Sequence, residues 1–336
     1  MGKTLGVGIV GAGLIGEKRA RVIEATKKGK LIAIADPAFA RAEALAGKFG
    51  VEALRDWKDL IAREDIDVVM VAVPNAFAAP IVIAALKAGK HVFCEKPFGV
   101  SAKESAAMLA AAKKARRIVK VGFNHRFHAS LLRAHEIFAK GGIGKPLFIR
   151  ARYGHGGRKG MEKEWRFDKK ISGGGELLDQ GVHIVDLARW FGGEFTAAYG
   201  RTETKFWKAK VDDNAFGILR NDKVTVSFHV STTQWKNLFS FEVFGDDGFL
   251  AIEGKGGSYG PETLTYGKKN LGFAPTLETF SFGPEDTSWM SEWENFVKAV
   301  EKKGELLGSG QDGLKANQIV EAIYKSSRLH REIRLT

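Results

Sequence analysis

The chain has 336 residues, of which 44% are apolar and 27% are charged, a composition that predicts two globular domains and excludes a disordered or fibrous protein. The single cysteine, Cys94, excludes an intramolecular disulfide framework and favours a reducing compartment. The longest apolar runs fall short of the ~18 residues that cross a bilayer, and the N-terminus lacks the apolar stretch of a signal peptide. We therefore expect a cytoplasmic protein that does not bind membranes.

The formal net charge of +13 arises from 52 lysine and arginine residues against 39 acidic ones. A basic balance invites a nucleic-acid hypothesis, but the basic residues are spread along the chain, often on predicted helix faces such as Lys113-Lys114. Dispersed charge of this kind is typical of a solvated surface. We expect no nucleic-acid partner.

The first 122 residues alternate short apolar strands with amphipathic helices, which predicts a parallel sheet covered on both faces. The predicted strands are Leu5–Val10, Leu31–Ala35, Val68–Val73, His91–Cys94 and Ile118–Val121. The predicted helices are Leu14–Thr26, Phe39–Lys48, Trp57–Ala62, Phe77–Ala88 and Ala102–Ala115. We place one domain boundary after residue 122, so that residues 1–122 form the first domain and residues 123–336 form the second.

From Phe195 onward the pattern changes to period-two segments separated by turn pairs, which predicts an antiparallel sheet. The predicted strands of this sheet are Thr196–Phe206, Phe216–Leu219, Lys223–Ser231, Phe239–Phe244 and Phe249–Ile252. Two helices follow in the prediction, near Trp289–Lys302 and near Asp312–His330.

A glycine-rich loop, Gly11-Ala12-Gly13-Leu14-Ile15-Gly16, follows the first predicted strand and opens the first helix. The first glycine permits a tight turn, the second lets backbone approach a pyrophosphate, and the third lets helix and strand pack closely. The helix N-terminus supplies N–H groups to phosphates. Asp36 ends the second strand, where a carboxylate accepts hydrogen bonds from ribose hydroxyls and repels a 2′-phosphate. We predict NAD rather than NADP, although Arg41 lies close enough in sequence to complicate the preference. The predicted cofactor contacts in this region are Gly11, Gly13, Leu14, Ile15, Gly16 and Asp36.

A second motif, Cys94-Glu95-Lys96-Pro97, lies at the carboxyl end of a predicted parallel strand. Open α/β sheets bind their ligands at this edge. A lysine that is buried at a strand end is costly unless it has a partner or a function. Taken alone, the Glu95-Lys96 pair also fits a surface ion pair.

The third motif is a triple glycine, residues 173–175, that precedes a predicted helix with one narrow polar stripe. At ~100° per residue, Asp179, His183 and Asp186 fall within ~60° of one another, while apolar residues cover most of the remaining circumference. A metal site, a buried polar network and general acid–base catalysis all fit such a stripe. We favour catalysis, because histidine titrates near neutral pH and a neighbouring carboxylate can fix its tautomer, and we predict no metal.

Five motifs occur in a specific order along the chain: Gly11–Gly16, Val73-Pro74-Asn75, Ala88–Val92 leading into Glu95-Lys96-Pro97, Gly122–Phe127, and Gly173–Gly175 leading into Asp179, His183 and Asp186. Together they resemble the Gfo/Idh/MocA oxidoreductases over essentially the whole chain. The resemblance implies an α/β protein with an N-terminal Rossmann fold and a C-terminal α/β domain that has an open, mainly antiparallel sheet. That sheet commonly builds oligomer interfaces in the family. One departure is Phe77, where the family often has a histidine.

The resemblance also implies roles for individual residues. Lys96 is similar to the lysine that contacts both the nicotinamide ribose and the reacting hydroxyl, and Asp179 and His183 are similar to the family's acid and catalytic histidine. Further cofactor contacts implied by the resemblance are Pro74, Asn75, Glu95, Lys96 and Arg166. The implied substrate contacts are Lys96, Asn124, Arg126, His155, Arg158, Trp165, Asp179 and His183.

The segment Tyr153–Arg158, with Glu164-Trp165-Arg166, is similar to members that act on sugars or nucleotide sugars, and it also fits a plain glycine-rich loop. Trp165 can stack on a pyranose ring, and Arg126, Arg158 and Arg166 would make the substrate site basic and favour an anionic sugar. The expected function is an NAD-dependent dehydrogenase that oxidises a secondary ring hydroxyl of a sugar, sugar derivative or cyclitol to a ketone. We expect a homo-oligomer, dimeric or tetrameric, formed through the C-terminal sheet.

Two other functions remain open at this point. Some members of the family keep NAD bound and use transient oxidation to eliminate a glycosidic bond, which would make the protein a glycosidase. The other alternative is a non-catalytic, NAD-binding regulator on the same fold.

Overall fold

The computed structural model describes residues 4–335, which form two compact units. The first unit contains residues 4–123 and Trp289–Lys315, and the second contains Asn124–Ser288 and residues 316–335. The sequence predicted a single boundary after residue 122. The observed division differs from that prediction, because a segment near the C-terminus returns to the first unit.

In chain order, the strands within the described residues are β1 (Gly6–Val10), β2 (Lys30–Ala35), β3 (Glu52–Leu54), β4 (Val68–Val71), β5 (His91–Cys94), β6 (Val119–Val121), β7 (Pro146–Gly154), β8 (Ala197–Glu203), β9 (Asn214–Arg220), β10 (Thr225–Ser231), β11 (Leu238–Gly245), β12 (Gly248–Glu253), β13 (Thr263–Lys268), β14 (Thr276–Ser281) and β15 (Ile333–Arg334). The helices are α1 (Leu14–Thr26), α2 (Phe39–Phe49), α3 (Trp57–Ala62), α4 (Ala78–Lys87), α5 (Ala102–Ala115), α6 (Ala129–Ala139), α7 (Lys169–Ser172), α8 (Val182–Gly192), α9 (Ser288–Val300) and α10 (Gly310–Leu329).

The first unit is built on a six-stranded, wholly parallel sheet with strand order β3-β2-β1-β4-β5-β6. Its central strands are buried along their whole length, as expected for a parallel sheet that is covered on both faces. The predicted parallel sheet is therefore confirmed. Strand β3 was not predicted, because this short edge strand is only partly buried and its sequence, Glu52-Ala53-Leu54, contains no apolar run. All parallel strands end at one edge, so the loops after β1, β2, β4 and β5 lie side by side.

Helix α9 explains why a late segment of the chain belongs to the first unit. Its apolar residues recur at helical spacing, and Trp293 and Phe296 are fully buried in the core of this unit. The Phe296 ring lies 5.5 Å from that of Phe93 on β5, and the Trp293 ring lies 6.4 Å from it. Burying two aromatic side chains stabilises the unit by several kcal/mol, which holds this segment against the parallel sheet.

The second unit is built on a nine-stranded sheet with order β14-β13-β12-β11-β7-β10-β9-β8-β15. Strands β7 and β10 run parallel and the other pairs are antiparallel, so the sheet is mixed and mostly antiparallel. The sequence predicted antiparallel strands between Phe195 and Ile252. It missed β7, which occupies the centre, the later strands β13, β14 and β15, and helix α6. Alternation was present in β7: Ile149, Ala151 and Tyr153 are buried on one face, and Arg150 and Arg152 are exposed on the other.

Of the helices within residues 4–335, none combines the length and the apolar character that crossing a bilayer requires.

Candidate active site

The glycine loop after β1 has the geometry that its sequence predicted. Gly11 has φ +106°, and a Cβ there would lie 2.3 Å from the Ala72 carbonyl oxygen. A Cβ on Gly16 would lie 1.9 Å from the Gly11 carbonyl oxygen, so α1 and the loop pack too closely for any side chain. Around Gly13, by contrast, a Cβ would meet no neighbouring atom within 4 Å. Gly13 is also the N-cap of α1 and brings no side-chain cap to the first N–H groups of the helix.

Asp36 lies beside this loop at the end of β2. Its Oδ2 accepts the Ala12 N–H at 2.9 Å, and its Oδ1 accepts the Ala38 N–H at 2.9 Å. The carboxylate thus fixes the loop from the side where an adenosine ribose binds in Rossmann folds. Leu14, at the start of α1, is 84% exposed next to the loop.

The residues after β4 and β5 complete this edge of the sheet. Pro74 precedes a 3₁₀ turn that begins at Asn75, whose side chain is buried. Lys96 is half-buried, and its peptide bond to Pro97 is cis. The predicted cofactor contacts of the first unit are therefore brought to one edge, although contact with a cofactor stays a prediction. Phe77, the departure from the family pattern, is exposed at this edge.

Glu95 is held in a buried network of charges. Arg19 of α1, fully buried, donates from Nε to Glu95 at 2.7 Å and lies 2.8 Å from Glu292 of α9. Lys120 lies 3.6 Å from Glu292, and the guanidinium of Arg19 stacks on Phe93. Burial raises the pKa of the Glu292 carboxyl, against the pull of Arg19 and Lys120. Glu95 is thus part of a buried network rather than the surface ion pair that the sequence left open, and this network fixes the chain immediately before Lys96.

In the second unit, the helix that carries the predicted catalytic stripe begins differently from the prediction. A five-residue π-helical turn, Leu177–Gly181, precedes α8. A π turn accommodates more residues than an α turn, so the ~100° steps of the predicted helix fail before Val182. Asp179 lies in the π turn, whereas His183 and Asp186 lie in α8. The single continuous α-helical stripe was therefore wrong in its geometry.

The triple glycine has a structural explanation in Asp212. Gly175 donates its N–H to Asp212 Oδ1 at 3.0 Å, and Leu177 donates to Oδ2 at 2.8 Å. A Cβ on Gly175 would lie 2.0 Å from the Asp212 carbonyl oxygen. Tyr324 of α10 also donates to this carboxylate, at 2.7 Å. Asp212 thereby holds the start of the π turn, and with it the position of Asp179 and His183.

Asp186 and Arg126 form a buried bidentate ion pair. Arg126 donates from Nε to Oδ2 at 2.7 Å and from Nη2 to Oδ1 at 2.6 Å, and both side chains are almost fully buried. Among the alternatives for the stripe, a buried polar network is what the structure gives for Asp186. Arg126 was predicted to contact substrate. Two of its donor nitrogens are committed to Asp186, an ion pair that holds α8 against the 3₁₀ turn Asn124–Phe127. The predicted contact of Arg126 with substrate stays a prediction.

The remaining arginines of the predicted basic site are also paired with carboxylates. Arg158 lies 2.6 Å from Glu164, and Arg166 lies 3.5 Å from Asp179 and 3.9 Å from Glu164. The expectation of a basic site for an anionic sugar is not supported, because each of the three arginines has an acidic neighbour.

Asp179 nevertheless lies among several of the predicted substrate residues. Arg166 stacks over the half-buried Trp165 ring at 4.6 Å, and His155 accepts the Gly157 N–H through Nδ1 at 3.0 Å. Burial lowers the pKa of His155, Asp179 opposes that effect, and Arg158 and Arg166 add to it. His155, Arg158, Trp165, Arg166 and Asp179 therefore form one group, in which Arg166 lies beside Asp179. Its predicted contact with the cofactor stays a prediction.

His183 lies in a second polar group that the sequence did not predict. The His183 ring stacks on that of His125 at a centroid distance of 3.8 Å. His125 Nε2 lies 3.2 Å from Lys255 Nζ, and Lys255 donates to the Tyr153 hydroxyl at 3.0 Å. Burial raises the pKa of Tyr153 well above its ordinary value. His125 and Tyr153 belong to motifs that the sequence singled out without giving them a role, and the glycine-rich surroundings of Lys255 were the only signal for it.

Asn124 lies beside this group. Its Oδ1 is 3.2 Å from His125 Nδ1, and its Nδ2 donates to Ser288 Oγ at 3.0 Å. The predicted contact of Asn124 with substrate stays a prediction. Within residues 4–335, no group of three or more His, Cys, Asp or Glu side chains is arranged to hold a metal ion.

The fold and the residues at the glycine loop define an oxidoreductase with an NAD-binding Rossmann fold. Residues 5–123 match the family description "Oxidoreductase family, NAD-binding Rossmann fold", and residues 131–251 match "GFO/IDH/MocA C-terminal domain". The chain belongs to the Gfo/Idh/MocA family, as its motifs indicated. The α1 N-terminus, which no side chain caps, and the Asp36 carboxylate fit the dinucleotide.

Individual relatives are named for sugar and cyclitol oxidation. Levoglucosan dehydrogenase of Pseudarthrobacter phenanthrenivorans is 37% identical over 58% of this chain, and the chain spans about half (53%) of that protein's length. Inositol 2-dehydrogenase of Rhizobium meliloti is 28% identical over 98% of this chain and 99% of its own length. A solved levoglucosan dehydrogenase, in complex with NADH and L-sorbose, superposes with a TM-score of 0.91 at 26% identity and covers 100% of both chains.

Proposed function

We propose that this protein is an NAD-dependent dehydrogenase that reversibly oxidises a secondary ring hydroxyl of a neutral sugar or cyclitol to a ketone. The observation that carries the proposal is the position of His183, buried in the first turn of α8 and stacked on His125. The pairing of Arg126, Arg158 and Arg166 with carboxylates favours a neutral polyol over an anionic sugar. The names of the relatives point to the same substrate class.

In the proposed reaction, Lys96 and His183 act on the same substrate hydroxyl. His183 takes the hydroxyl proton as general base, and Lys96 donates a hydrogen bond to the oxygen and stabilises the negative charge that develops there. Asp179 orients His183 or a neighbouring hydroxyl. Bound NAD supplies the hydride acceptor, so that loss of one proton and one hydride leaves a ketone.

The first test is a substrate screen that follows NADH absorbance. The purified protein is mixed with NAD and, separately, levoglucosan, myo-inositol or methyl glucosides. We expect NADH to form with at least one of them. A p-nitrophenyl glucoside that releases nitrophenol without net NADH would point to the glycosidase alternative. NAD binding without either reaction would point to the regulator.

The second test concerns the two proposed catalytic side chains. We expect Lys96→Ala and His183→Ala each to lower turnover by ~10²–10⁴-fold, the usual contribution of a positioned acid–base group, while NAD binding persists. The double variant should lose far less than the product of the single losses, because groups that act as one unit are non-additive. Single-turnover kinetics measure the rate of hydride transfer in each variant, and thermal melts measure the stability of its fold. A His183→Ala protein that melts early but turns over normally while folded would contradict the assignment.

We also propose that the protein is a homo-oligomer assembled through the outward face of the nine-stranded sheet. That face exposes Tyr199, Phe216 and Ile218 on neighbouring strands. Exposed apolar patches of this kind mark interaction surfaces. The cytoplasmic location stays a prediction.

A further inference from the structure

Lys255 occupies the turn after β12, between two glycines whose backbone conformation and hydrogen bonds fix its position. Gly254 and Gly256 on either side have φ +71° and +77°, a left-handed conformation that glycine adopts without strain. The Gly254 N–H donates to the Phe239 carbonyl, and the Gly256 N–H donates to that of Gly260. The half-buried Lys255 side chain is thereby brought to the group around His183.

The hydrogen bonds that begin at Lys255 run in one direction. An ammonium group donates and cannot accept, so the 3.2 Å contact makes His125 Nε2 the acceptor. At the other end, Asn124 Nδ2 donates to Ser288 Oγ, which leaves Asn124 Oδ1 facing His125 Nδ1 as an acceptor. Ser288 in turn donates to Asp286. These contacts fit His125 as the neutral tautomer that carries its proton on Nδ1.

This neutral state of His125 matters for the ring stacked on it. Protonating His125 would place a second cation 3.2 Å from Lys255 Nζ and remove the lone pair to which Lys255 donates. With His125 neutral, the His183 ring at 3.8 Å can take up a proton without facing a second imidazolium. The ammonium of Lys255 is held in turn by the Tyr153 hydroxyl and by the Tyr259 ring, which lies 4.2 Å away.

We propose that Lys255 is a positioning residue that holds His125 as the neutral Nδ1–H tautomer, so that the stacked His183 can accept the substrate proton. Only the last step of this inference rests on the proposed dehydrogenase function.

Other titratable groups surround the stacked pair. The His128 ring lies 5.6 Å from that of His125, edge to face, and the Tyr153 ring lies 5.1 Å from it. Glu176 and Asp179 of the π-helical region act electrostatically on both Tyr153 and Tyr259, and Lys255 acts on His155. Arg126 follows His125 directly in sequence, Asp186 lies three residues after His183, and the two are ion-paired with each other. These groups are common to the wild type and to the Lys255 variants, so a comparison between them isolates the lysine.

The deciding experiment is NMR titration of the histidine side chains in ¹⁵N-histidine-labelled protein, without substrate. In the wild type we expect His125 to carry its proton on Nδ1 near neutral pH. In Lys255→Met, which keeps the length but removes the charge and the donor, the stacked pair should take up its first proton at a pH about one unit higher. Lys255→Arg should restore the wild-type titration. A wild-type His125 protonated on Nε2, or an unchanged titration in Lys255→Met, overturns the proposal.

Lys268→Met is the matched control. Lys268 is an exposed lysine at the end of β13 whose Nζ lies 5.7 Å from the Tyr266 ring, so its loss removes the same charge from beside a different tyrosine. We expect it to leave the histidine titrations unchanged. Thermal melts show whether each variant is folded at the temperature of the NMR titration.

The catalytic consequence is read from kcat/KM against pH with a sugar that the screen identifies. The acid limb should move up by about one pH unit in Lys255→Met and return in Lys255→Arg, whereas a purely structural role would lower activity equally at every pH. A limb that stays in place overturns the link to catalysis. If no sugar is oxidised, the dehydrogenase proposal fails, while the NMR titration still decides the role of Lys255.

Discussion

Asp36 is a single carboxylate that holds the glycine loop and is a predicted cofactor contact. It accepts the N–H groups of Ala12 and Ala38, so its position is set by backbone before any cofactor binds. A side chain that is already positioned loses little further freedom on binding. The preference between NAD and NADP can then depend on the single negative charge of Asp36.

We expect NAD to bind at least ~10-fold more tightly than NADP, a difference of ~1.4 kcal/mol or more, because Asp36 would repel a 2′-phosphate. Asp36→Asn keeps an oxygen acceptor for the loop but removes the charge, and it should narrow the preference. Calorimetric titration with NAD and NADP measures the ratio of the two affinities. Glu43→Gln, which neutralises an exposed carboxylate on α2, is the control. Equal affinities in the wild type would mean that Arg41, rather than Asp36, governs the pocket.

At the scale of elements, two adjacent carboxylates before β9 organise the second unit. Asp212 fixes the start of the π turn, and Asp213 fixes the turn after β8 by accepting the N–H groups of Lys205, Phe206 and Trp207. Burial opposes ionisation of Asp213, but these donors outweigh it and lower the pKa of its carboxyl. Neither role is visible in the sequence, where Asp212-Asp213 is simply an acidic pair.

The lowered pKa of Asp213 predicts a pH-dependent contribution to stability. Its folded value lies below the ordinary aspartate value, so the contribution is full above that value and is lost as pH falls through the folded pKa. We expect Asp213→Asn to lower the free energy of unfolding by about 2 kcal/mol at pH 7, and by progressively less below pH ~4. Urea denaturation at pH 7 and below pH ~4 measures the difference in the free energy of unfolding between the wild type and Asp213→Asn. The exposed Asp222→Asn is the control, and a gap that does not shrink in acid would contradict the prediction.

At the scale of the whole molecule, the large sheet presents aromatic side chains on its outward face. The Phe148 and Phe244 rings stack at 4.6 Å, and the Phe216 and His229 rings stack at 4.2 Å. Apolar residues on the opposite face, such as Ile149 and Phe241, are buried. Large apolar side chains that lie exposed among charged ones on this second face are typical of an interaction surface, which is why we propose self-association there.

We expect the wild-type protein to elute as a dimer or tetramer in size-exclusion chromatography with light scattering. Phe216→Glu should shift the population toward monomer, because it would bury a new charge in the proposed interface. Phe273→Glu changes an exposed phenylalanine outside the strands and should not alter the mass. A monomeric wild type would refute the assembly proposed for this face.

Local sequence signals determined the parallel half of the fold and the cofactor loop. Strand and helix periodicity, the glycine loop and Asp36 lie within one short stretch of chain, so their geometry follows from neighbouring residues. Lys96, Asp179 and His183 were proposed from motifs, since each lies at a fixed offset from glycine or proline, and their catalytic roles stay predictions. The phase of the helix before Val182 was not found, because a π turn leaves no periodic signature.

What only the tertiary structure decided are the partners across long separations. Arg126 and Asp186 are 60 residues apart, and Lys255 and His125 are 130 apart. The return of α9 to the first unit depends on where Trp293 and Phe296 find a complementary core, which composition alone does not specify. Sequence thus determined the family, the parallel sheet and the glycine loop through local patterns, whereas the charge pairing around His183 was decided by packing, because burial selects partners by position in space.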